Sequence, residues 1–333
     1  MRPVLHPKLV NGLFDDPGLY ISFLFDKKAF LFDIGDIHNL NPKELLKISH
    51  IFVSHTHMDH FIGFDHLLRL CLGRDKTLYF YGPEGFLQNL EGKLAGYSWN
   101  LVNHYTHSLV LKATEVHPDR TLSKIYPCAS SFKASNPAVC RPFSGTLLNT
   151  PGLTVRSVVL DHRLACLAFC VEENFHINIL KDRVEALGLS VGPWIKQFKE
   201  ALYNKTSPDS NFSFYQNDRC YEFTVGYLAD QISHVTAGQK ICYITDVRFS
   251  PENEEKLVSL ARNADHLFIE AAFLEKDASI AIKKYHLTAH EAGTIARKAN
   301  VKQYTIFHHS PRYTSMQHLL EEEARKAFEG SIT

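Results

Sequence analysis

The run His55-Thr56-His57-Met58-Asp59-His60 places four metal-competent side chains within six residues. It follows a strand-like apolar stretch at 50–54, so its side chains leave a pleated element for a loop, where they can converge. Neutral imidazoles and carboxylates are nitrogen and oxygen ligands for zinc. Buried without a cation, the same groups would leave several polar atoms to be satisfied. The run therefore reads as one part of a metal site at a strand end, where α/β architectures place chemistry.

Upstream, 20–25 and 29–32 are expected to form a hairpin joined at Asp26-Lys27-Lys28, and the second run stops at Asp33. Asn41-Pro42-Lys43-Glu44 supplies an N-cap, a first-turn proline and a capping-box glutamate for a short helix. Downstream, a helical pattern at 60–72, a strand at 78–81 and a helix opening at Pro83 continue the alternation of strand and helix. Residues 101–153 have no clear pattern, and the Ser/Pro/Asn-rich stretch 130–144 is expected to be loop. A strand is expected at 154–160. The segment 172–223 differs from its neighbours, with helical patterns at 180–187 and 194–202 around Gly192-Pro193, followed by a polar run at 204–217. It is expected to be an exposed insertion. The last third alternates again, with strands at 240–245, 266–269 and 303–307 and helices at 253–264, 289–299 and 316–328. Asp33 and Asp246 each close a buried-type strand, one in each half.

Length and composition bound the rest. With 333 residues, 45% hydrophobic and 22% charged, the chain is neither disordered nor fibrous, and has material for one large or two ordinary domains. The longest apolar run spans the eight residues 164–171, against about 20 needed to cross a bilayer, and the N-terminus has no apolar signal core. No membrane span or export signal is expected. Seven scattered cysteines without a C-x-x-C pair argue against a disulfide framework, so a reducing, cytoplasmic setting is expected. Lysine plus arginine (36) balances aspartate plus glutamate (36), so any affinity for nucleic acid must arise from a local basic surface or a metal site.

The 55–60 run resembles the H-x-H-x-D-H signature of the metallo-β-lactamase fold superfamily, and the likeness continues down the chain. His162, in Leu160-Asp161-His162-Arg163, matches the superfamily's third histidine. Asp246 matches its metal-bridging aspartate, and His308, in Phe307-His308-His309-Ser310-Pro311-Arg312-Tyr313, its last histidine. Asp33, in Phe32-Asp33-Ile34-Gly35, matches an early aspartate that supports the metal loop. The resemblance implies an α/β fold: a single αββα four-layer sandwich over 1–333, with 172–223 as an arm-like insertion. It implies that His55, His57 and His162 hold one cation, that Asp59, His60 and His308 hold a second, and that Asp246 bridges them. Donors without thiolate suit two zinc ions, with manganese or iron also compatible.

Three further features are similar to the ribonuclease Z branch: the 308–313 tail, the 264–273 segment carrying Glu270, and Tyr285-His286-Leu287-Thr288. The likeness implies a zinc-dependent phosphodiesterase or endoribonuclease of the transfer RNA 3′-processing type, in which a hydroxide on the metal pair attacks phosphorus. Asp59 would orient that nucleophile or take its proton, and His286, supported by Glu270, would protonate the leaving 3′ oxygen. A carboxylate beside an imidazole raises its pKa, which suits that role. The 184–199 segment resembles the family's flexible arm, where Lys196 and Lys199 share a helical face and can neutralise phosphates. Ser310 and Arg312 can position a phosphate. A solvated helix face for the lysines and a carboxylate partner for Arg312 are equally open. Asp65, His66, His290 and His309 read as helix or supporting residues, and His104, His107 and His117 are assigned nothing.

Expected partners are RNA, such as precursor transfer RNA, or a small phosphodiester, together with a second copy of the chain. The sequence departs from the family pattern at Met58, usually glycine, at 63–68, usually a glycine-leucine-proline-glycine run, and in its N-terminal opening. Two other readings stay open: a hydrolase of small esters, thioesters, lactones or cyclic nucleotides on the same centre, and a non-catalytic RNA-binding protein with structural metals.

Overall fold

Ala29-Phe30-Leu31-Phe32 is buried at every position, which a strand allows only when both of its faces are covered. In the computed structural model, which describes residues 4–24, 27–102, 108–135 and 137–330, the covering layers are a second sheet on one side and helices on the other. Part of the expected hairpin join at Asp26, and the histidines at 104 and 107, lie outside the described residues.

The first sheet comprises β1 (Leu5–Leu9), β2 (Leu19–Phe23), β3 (Ala29–Phe32), β4 (Ile48–Phe52), β5 (Lys76–Pro83), β6 (Leu109–Val116), β7 (Arg120–Pro127) and β8 (Val139–Pro142), hydrogen-bonded in that order. Strands β3 to β6 run parallel. Between them lie α1 (Pro42–Lys47), whose Asn41–Glu44 capping box forms as expected, α2 (Met58–Phe61), α3 (Phe64–Cys71) and α4 (Phe86–Ala95). The period-2 alternation of side chains sends Leu31, Ile51 and Phe80 outward onto Leu45, Leu67 and Leu90 of these helices.

The second sheet begins with β9 (Thr146–Thr150), β10 (Leu153–Asp161) and β11 (Ala165–Glu173). The chain then passes through β12 (His176–Ile179), α5 (Lys181–Ala186), α6 (Trp194–Tyr203), β13 (Asn211–Gln216), β14 (Arg219–Thr224), α7 (Val225–Ile232) and β15 (Ser233–Thr236). It returns through β16 (Lys240–Ile244), α8 (Pro251–Ala261), β17 (His266–Glu270), α9 (Ala278–Lys284), α10 (Ala289–Lys298), β18 (Tyr304–Phe307) and α11 (Gln317–Glu329). The strand order is β18-β17-β16-β11-β10-β9, with β16, β17 and β18 parallel.

Two compact units emerge. Of the described residues, the larger takes in those from 4 to 147, 155–171 and 240–330, the smaller 148–154 and 172–239. Within the larger unit the two sheets meet face to face through aromatic rings, Phe32 and Phe52 lying 5.6 and 5.7 Å from Phe169, and Phe32 lying 6.0 Å from Tyr243. Burying each such ring contributes about 1.5–3 kcal/mol. Helices α8, α10 and α11 cover the other face of the second sheet, packing Leu257, Ile295 and Leu320 over Cys242, Leu267 and Ile269. The layering is the αββα sandwich. The smaller unit has its own core of Val184, Trp194, Phe198, Phe214, Leu228 and Ile232, with Trp194 stacked on Phe214 at 4.3 Å. Among the described residues no helix is long and apolar enough to cross a membrane.

Three elements differ from expectation. The helix read at 60–72 is broken at Ile62-Gly63, because Gly63 N–H donates to the Ile34 carbonyl (2.9 Å) and Ile34 N–H to the His60 carbonyl (3.0 Å). Those bonds fasten the turn to the loop after β3. Strand β8 crosses the 130–144 stretch read as loop; it is exposed at every residue, so it carries no apolar alternation to read. Helix α9 lies in a stretch read only for its motif residues.

Two glycines make the fastening at 34–63 sterically feasible. A Cβ on Gly63 would lie 2.2 Å from the Gly35 carbonyl oxygen, and one on Gly35 would lie 2.2 Å from the Asp59 carbonyl oxygen. Backbone cannot yield there as a side chain can. We therefore expect Gly63→Ala to lower stability by about 1–3 kcal/mol in denaturant unfolding; an unchanged midpoint would show that the close approach is absent.

Candidate metal centre

The parallel strands of both sheets deliver polar residues at their carboxyl ends. Asp33 follows β3, the 55–60 run follows β4, Asp246 follows β16, Glu270 ends β17 and His308 follows β18. Asp33, Asp246 and His308 have φ of 55°, 44° and 57°. That left-handed conformation is costly for residues other than glycine. Here it turns each chain sharply at the strand end, and the packed sheets pay the strain.

Ligand-type atoms converge in overlapping groups, each with its atoms within 4.8 Å of one another: His55, His57, His162 and Asp246 in one, Asp59, His60 and His308 in another. Asp246 touches both. Its Oδ2 lies 3.6 Å from His55 Nε2, 3.5 Å from His162 Nε2 and 3.4 Å from His60 Nε2. Its Oδ1 lies 2.8 Å from His308 Nδ1. Asp59 Oδ2 lies 3.4 Å from His60 Nε2 and 3.5 Å from His308 Nε2. All seven side chains named from the sequence as ligands thus stand together.

Their chemistry fits cations. His55 Nε2 and His60 Nε2 are buried without a hydrogen-bond partner among the described residues, a costly state for a polar atom unless a cation satisfies it. The outer hydrogen bonds explain why these nitrogens are the bare ones. Asp33 Oδ2 accepts from His60 Nδ1 (2.9 Å), so Nδ1 carries a proton and Nε2 is the nitrogen available to a cation. Asp33 is itself held by Ser54 N–H (2.6 Å), the Ser54 hydroxyl (2.8 Å) and the Tyr243 hydroxyl (2.9 Å). The Tyr285 carbonyl accepts from His162 Nδ1 at 2.6 Å, leaving Nε2 of that ring to face Asp246.

The titration directions tell the same story. Burial disfavours charge on His60, but Asp246 and Asp33 override it and push the pKa well above the ordinary value. Burial opposes charge on His308 likewise, yet Asp246 and Asp59 raise it to about 10. Burial raises Asp246, while His308 and His60 bring it well below the usual range. Asp59 is likewise held low by His308 and His60 against its burial. The carboxylates thus draw positive charge into the pocket, a place that protons and metal ions compete to fill.

Glu270 and His286 form a third such group with Asp246 and His308, and they are bonded to each other. Glu270, fully buried, accepts Val247 N–H at Oε1 (2.7 Å) and His286 Nδ1 at Oε2 (2.7 Å). Burial lowers the His286 pKa, but Glu270 outweighs it and the net shift is upward. His286 lies against two adjoining clefts. One, of about 400 Å³, is also lined by His57, His162, Arg163, Lys283 and Lys284. The other, of about 260 Å³, is lined by Asp15, Asp16, Asp59, His308 and Ser310.

The remaining expected contacts are placed differently. Ser310 faces the second cleft, while Arg312 is exposed beside Asp277, its Nη1 3.4 Å from Oδ1. Lys196 lies 3.9 Å from Glu200 on α6. Burial lowers the Lys199 pKa, with Glu173 opposing. Sequence reading missed Tyr243, Tyr285 and Lys284. Tyr243 carries a signal, since alternation along β16 turns it inward, toward the first sheet. Tyr285 acts through a carbonyl, which every residue has.

No family model matches the chain. Among solved structures, a metallo-β-lactamase fold protein from Bacillus subtilis superposes with a TM-score of 0.55 at 16% identity, over 97% of this chain and 94% of that one. The short form of human tRNase Z superposes with a TM-score of 0.52 at 17% identity, over 93% of each. At these identities the likeness establishes the fold. In sequence, the ribonuclease Z of Lactiplantibacillus plantarum is 30% identical over 315 residues, spanning 91% of this chain and 85% of that protein. With so much of both sequences aligned, the chain belongs to the ribonuclease Z family.

Proposed function

We propose that this chain is a divalent-metal-dependent endoribonuclease that hydrolyses phosphodiester bonds in RNA, with precursor transfer RNA as its substrate class. The observation that carries the reading is the meeting of seven ligand-type side chains with an adjoining carboxylate–imidazole pair, Glu270 and His286, tied together by a 2.7 Å hydrogen bond. The family relationship supports it, as does the fold in common with a nuclease named for transfer RNA.

His55, His57 and His162 would hold one cation, Asp59, His60 and His308 the other, and Asp246 both; the donor set suits zinc. Bound there, the cations supply Lewis acidity toward the phosphodiester and make water acidic near neutral pH. The protein's own groups do the rest. Asp59, held ionised by its two histidine neighbours, accepts a hydrogen bond from the attacking water and so orients it. Asp33 and the Tyr285 carbonyl keep His60 and His162 in the tautomers that present Nε2. His286, with Nδ1 tied to Glu270, keeps its second N–H for the leaving 3′ oxygen. Glu270 stays paired with Val247 N–H throughout, so the imidazolium form of His286 has a fixed counter-charge.

Removing the carboxylate shared by both ligand groups, with Asp246→Ala, should lower kcat on RNA by about 1,000-fold or more and reduce metal content by elemental analysis. Near-normal turnover would overturn the shared-carboxylate mechanism. His286→Ala should cost about 100- to 10,000-fold in kcat on RNA. The loss should be far smaller on bis-p-nitrophenyl phosphate, whose p-nitrophenolate departs without a proton. The pH profile gives a third check. An acid whose pKa is raised stays protonated to higher pH, and the rate falls as pH rises through that pKa. Glu270→Gln should therefore move the basic limb of kcat to lower pH, and a stationary limb would exclude His286 as the acid it supports.

A further inference from the structure

The two clefts that share His286 differ in charge. The larger one is bordered by Arg163, Lys283 and Lys284, and Lys284 also borders the smaller. Among the described residues none of these three cations has an acidic side chain within ion-pair distance, whereas Lys93, Lys124, Lys256, Lys298 and Lys302 each do. The smaller cleft instead carries Asp15 and Asp16. In a chain whose charges cancel overall, three cations gathered on one cleft give that side of the histidine–aspartate cluster a locally positive field, although Lys284 also lies over the Phe273 ring (6.0 Å) and Asp59 and Asp246 line the same cleft.

Ordinary structural reasons account for only part of it. Lys283 and Lys284 sit in the last turn of α9, where a cation complements the helix dipole. That does not explain Arg163, which comes from the turn between β10 and β11 and has φ of 63°. Glycine, asparagine or aspartate would take that conformation more cheaply. An arginine there adds a cation to the cleft that His162 and the two lysines line. Two separate elements thus bring positive charge to one wall.

We infer that Arg163, Lys283 and Lys284 form a subsite for a second backbone phosphate of the substrate, next to the phosphodiester that is cut. The inference rests on the phosphodiesterase reading and narrows it. A cyclic nucleotide or a simple diester carries one phosphate and leaves the subsite empty, whereas a polynucleotide fills it. The occupied side is also determined: the phosphate neighbouring the scissile one lies along the Arg163 and Lys283 wall, because Asp15 and Asp16 on the other side would repel it. Lys284 lines both clefts.

Binding tests this without relying on turnover. The full-length protein, with divalent ions chelated, is titrated with a fluorescein-labelled single-stranded oligoribonucleotide across a range of salt concentrations. A triple variant, Arg163→Gln, Lys283→Gln and Lys284→Gln, is compared with Lys298→Gln as a distant charge control, and thermal melting checks the folding of each. We expect the triple variant to bind about 10-fold or more weakly at low salt. The slope of log Kd against log salt should shrink by about 0.7, the value for one neutralised phosphate on a single strand. Lys298→Gln should leave both unchanged. Equal affinity and slope in the triple variant would overturn the subsite, as would an equal loss in the control. With metal restored, the triple variant should lose at least about 10-fold more kcat/KM on the oligoribonucleotide than on bis-p-nitrophenyl phosphate, in line with its binding loss; equal losses on both would also overturn the subsite. If the protein hydrolyses no phosphodiester, the catalytic reading fails, and the binding comparison still decides the subsite.

Discussion

One buried carboxylate organises this molecule. Asp246 is almost wholly withdrawn from solvent, yet nitrogens of His55, His60, His162 and His308 stand within 3.6 Å of it. A charge so placed is unfavourable without compensation, and it can be compensated only by groups arriving from several distant stretches of chain. The fold brings them there through strand ends. β16 presents the carboxylate, the loop after β4 presents His55 and His60, and the ends of β10 and β18 present His162 and His308. The aromatic layer between the sheets, Phe32, Phe52, Phe169 and Tyr243, keeps those ends in register. Packing far from the chemistry thus fixes distances at the site.

A second carboxylate does the complementary work. Asp33 holds no place in either ligand group, but it joins both sheets by accepting from Ser54 and from Tyr243, residues that lie 210 positions apart from it in the latter case. Through His60 it also determines which ring nitrogen is bare. Orientation of the ligands and cohesion of the sandwich therefore share the same bonds. The Tyr285 carbonyl links His162 to the segment that carries His286, so the ligand groups and the proposed acid are coupled through one residue.

How much of this could be read from the residues alone follows from where each signal resides. The 55–60 run was legible because its ligand types cluster along the chain, whereas His162, Asp246 and His308, far apart in sequence, were reached through the resemblance to the superfamily's motifs. The αββα layering was implied by the resemblance to the metallo-β-lactamase superfamily, and strands buried on both faces, such as β3, accord with it. What escaped notice depends on geometry that one-dimensional patterns do not carry. The break at Ile62-Gly63 comes from hydrogen bonds with the distant Ile34, whose carbonyl accepts from Gly63 N–H and whose N–H donates to the His60 carbonyl. Strand β8 is an exposed edge with no alternation. Lys284 became interesting only once Arg163, over a hundred residues earlier, was found on the same wall.

The excursion between β11 and β16 has an evolutionary corollary. Those two strands are neighbours in the sheet, and Glu173 N–H donates to the Gln239 carbonyl at 2.9 Å, so the excursion leaves and comes back through one doorway. A segment with its own core and adjoining ends is a cassette, which can lengthen, shrink or be exchanged without rewiring the sheet that carries it. Selection on the cassette can therefore proceed independently of selection on the histidines and aspartates that the strand ends bring together.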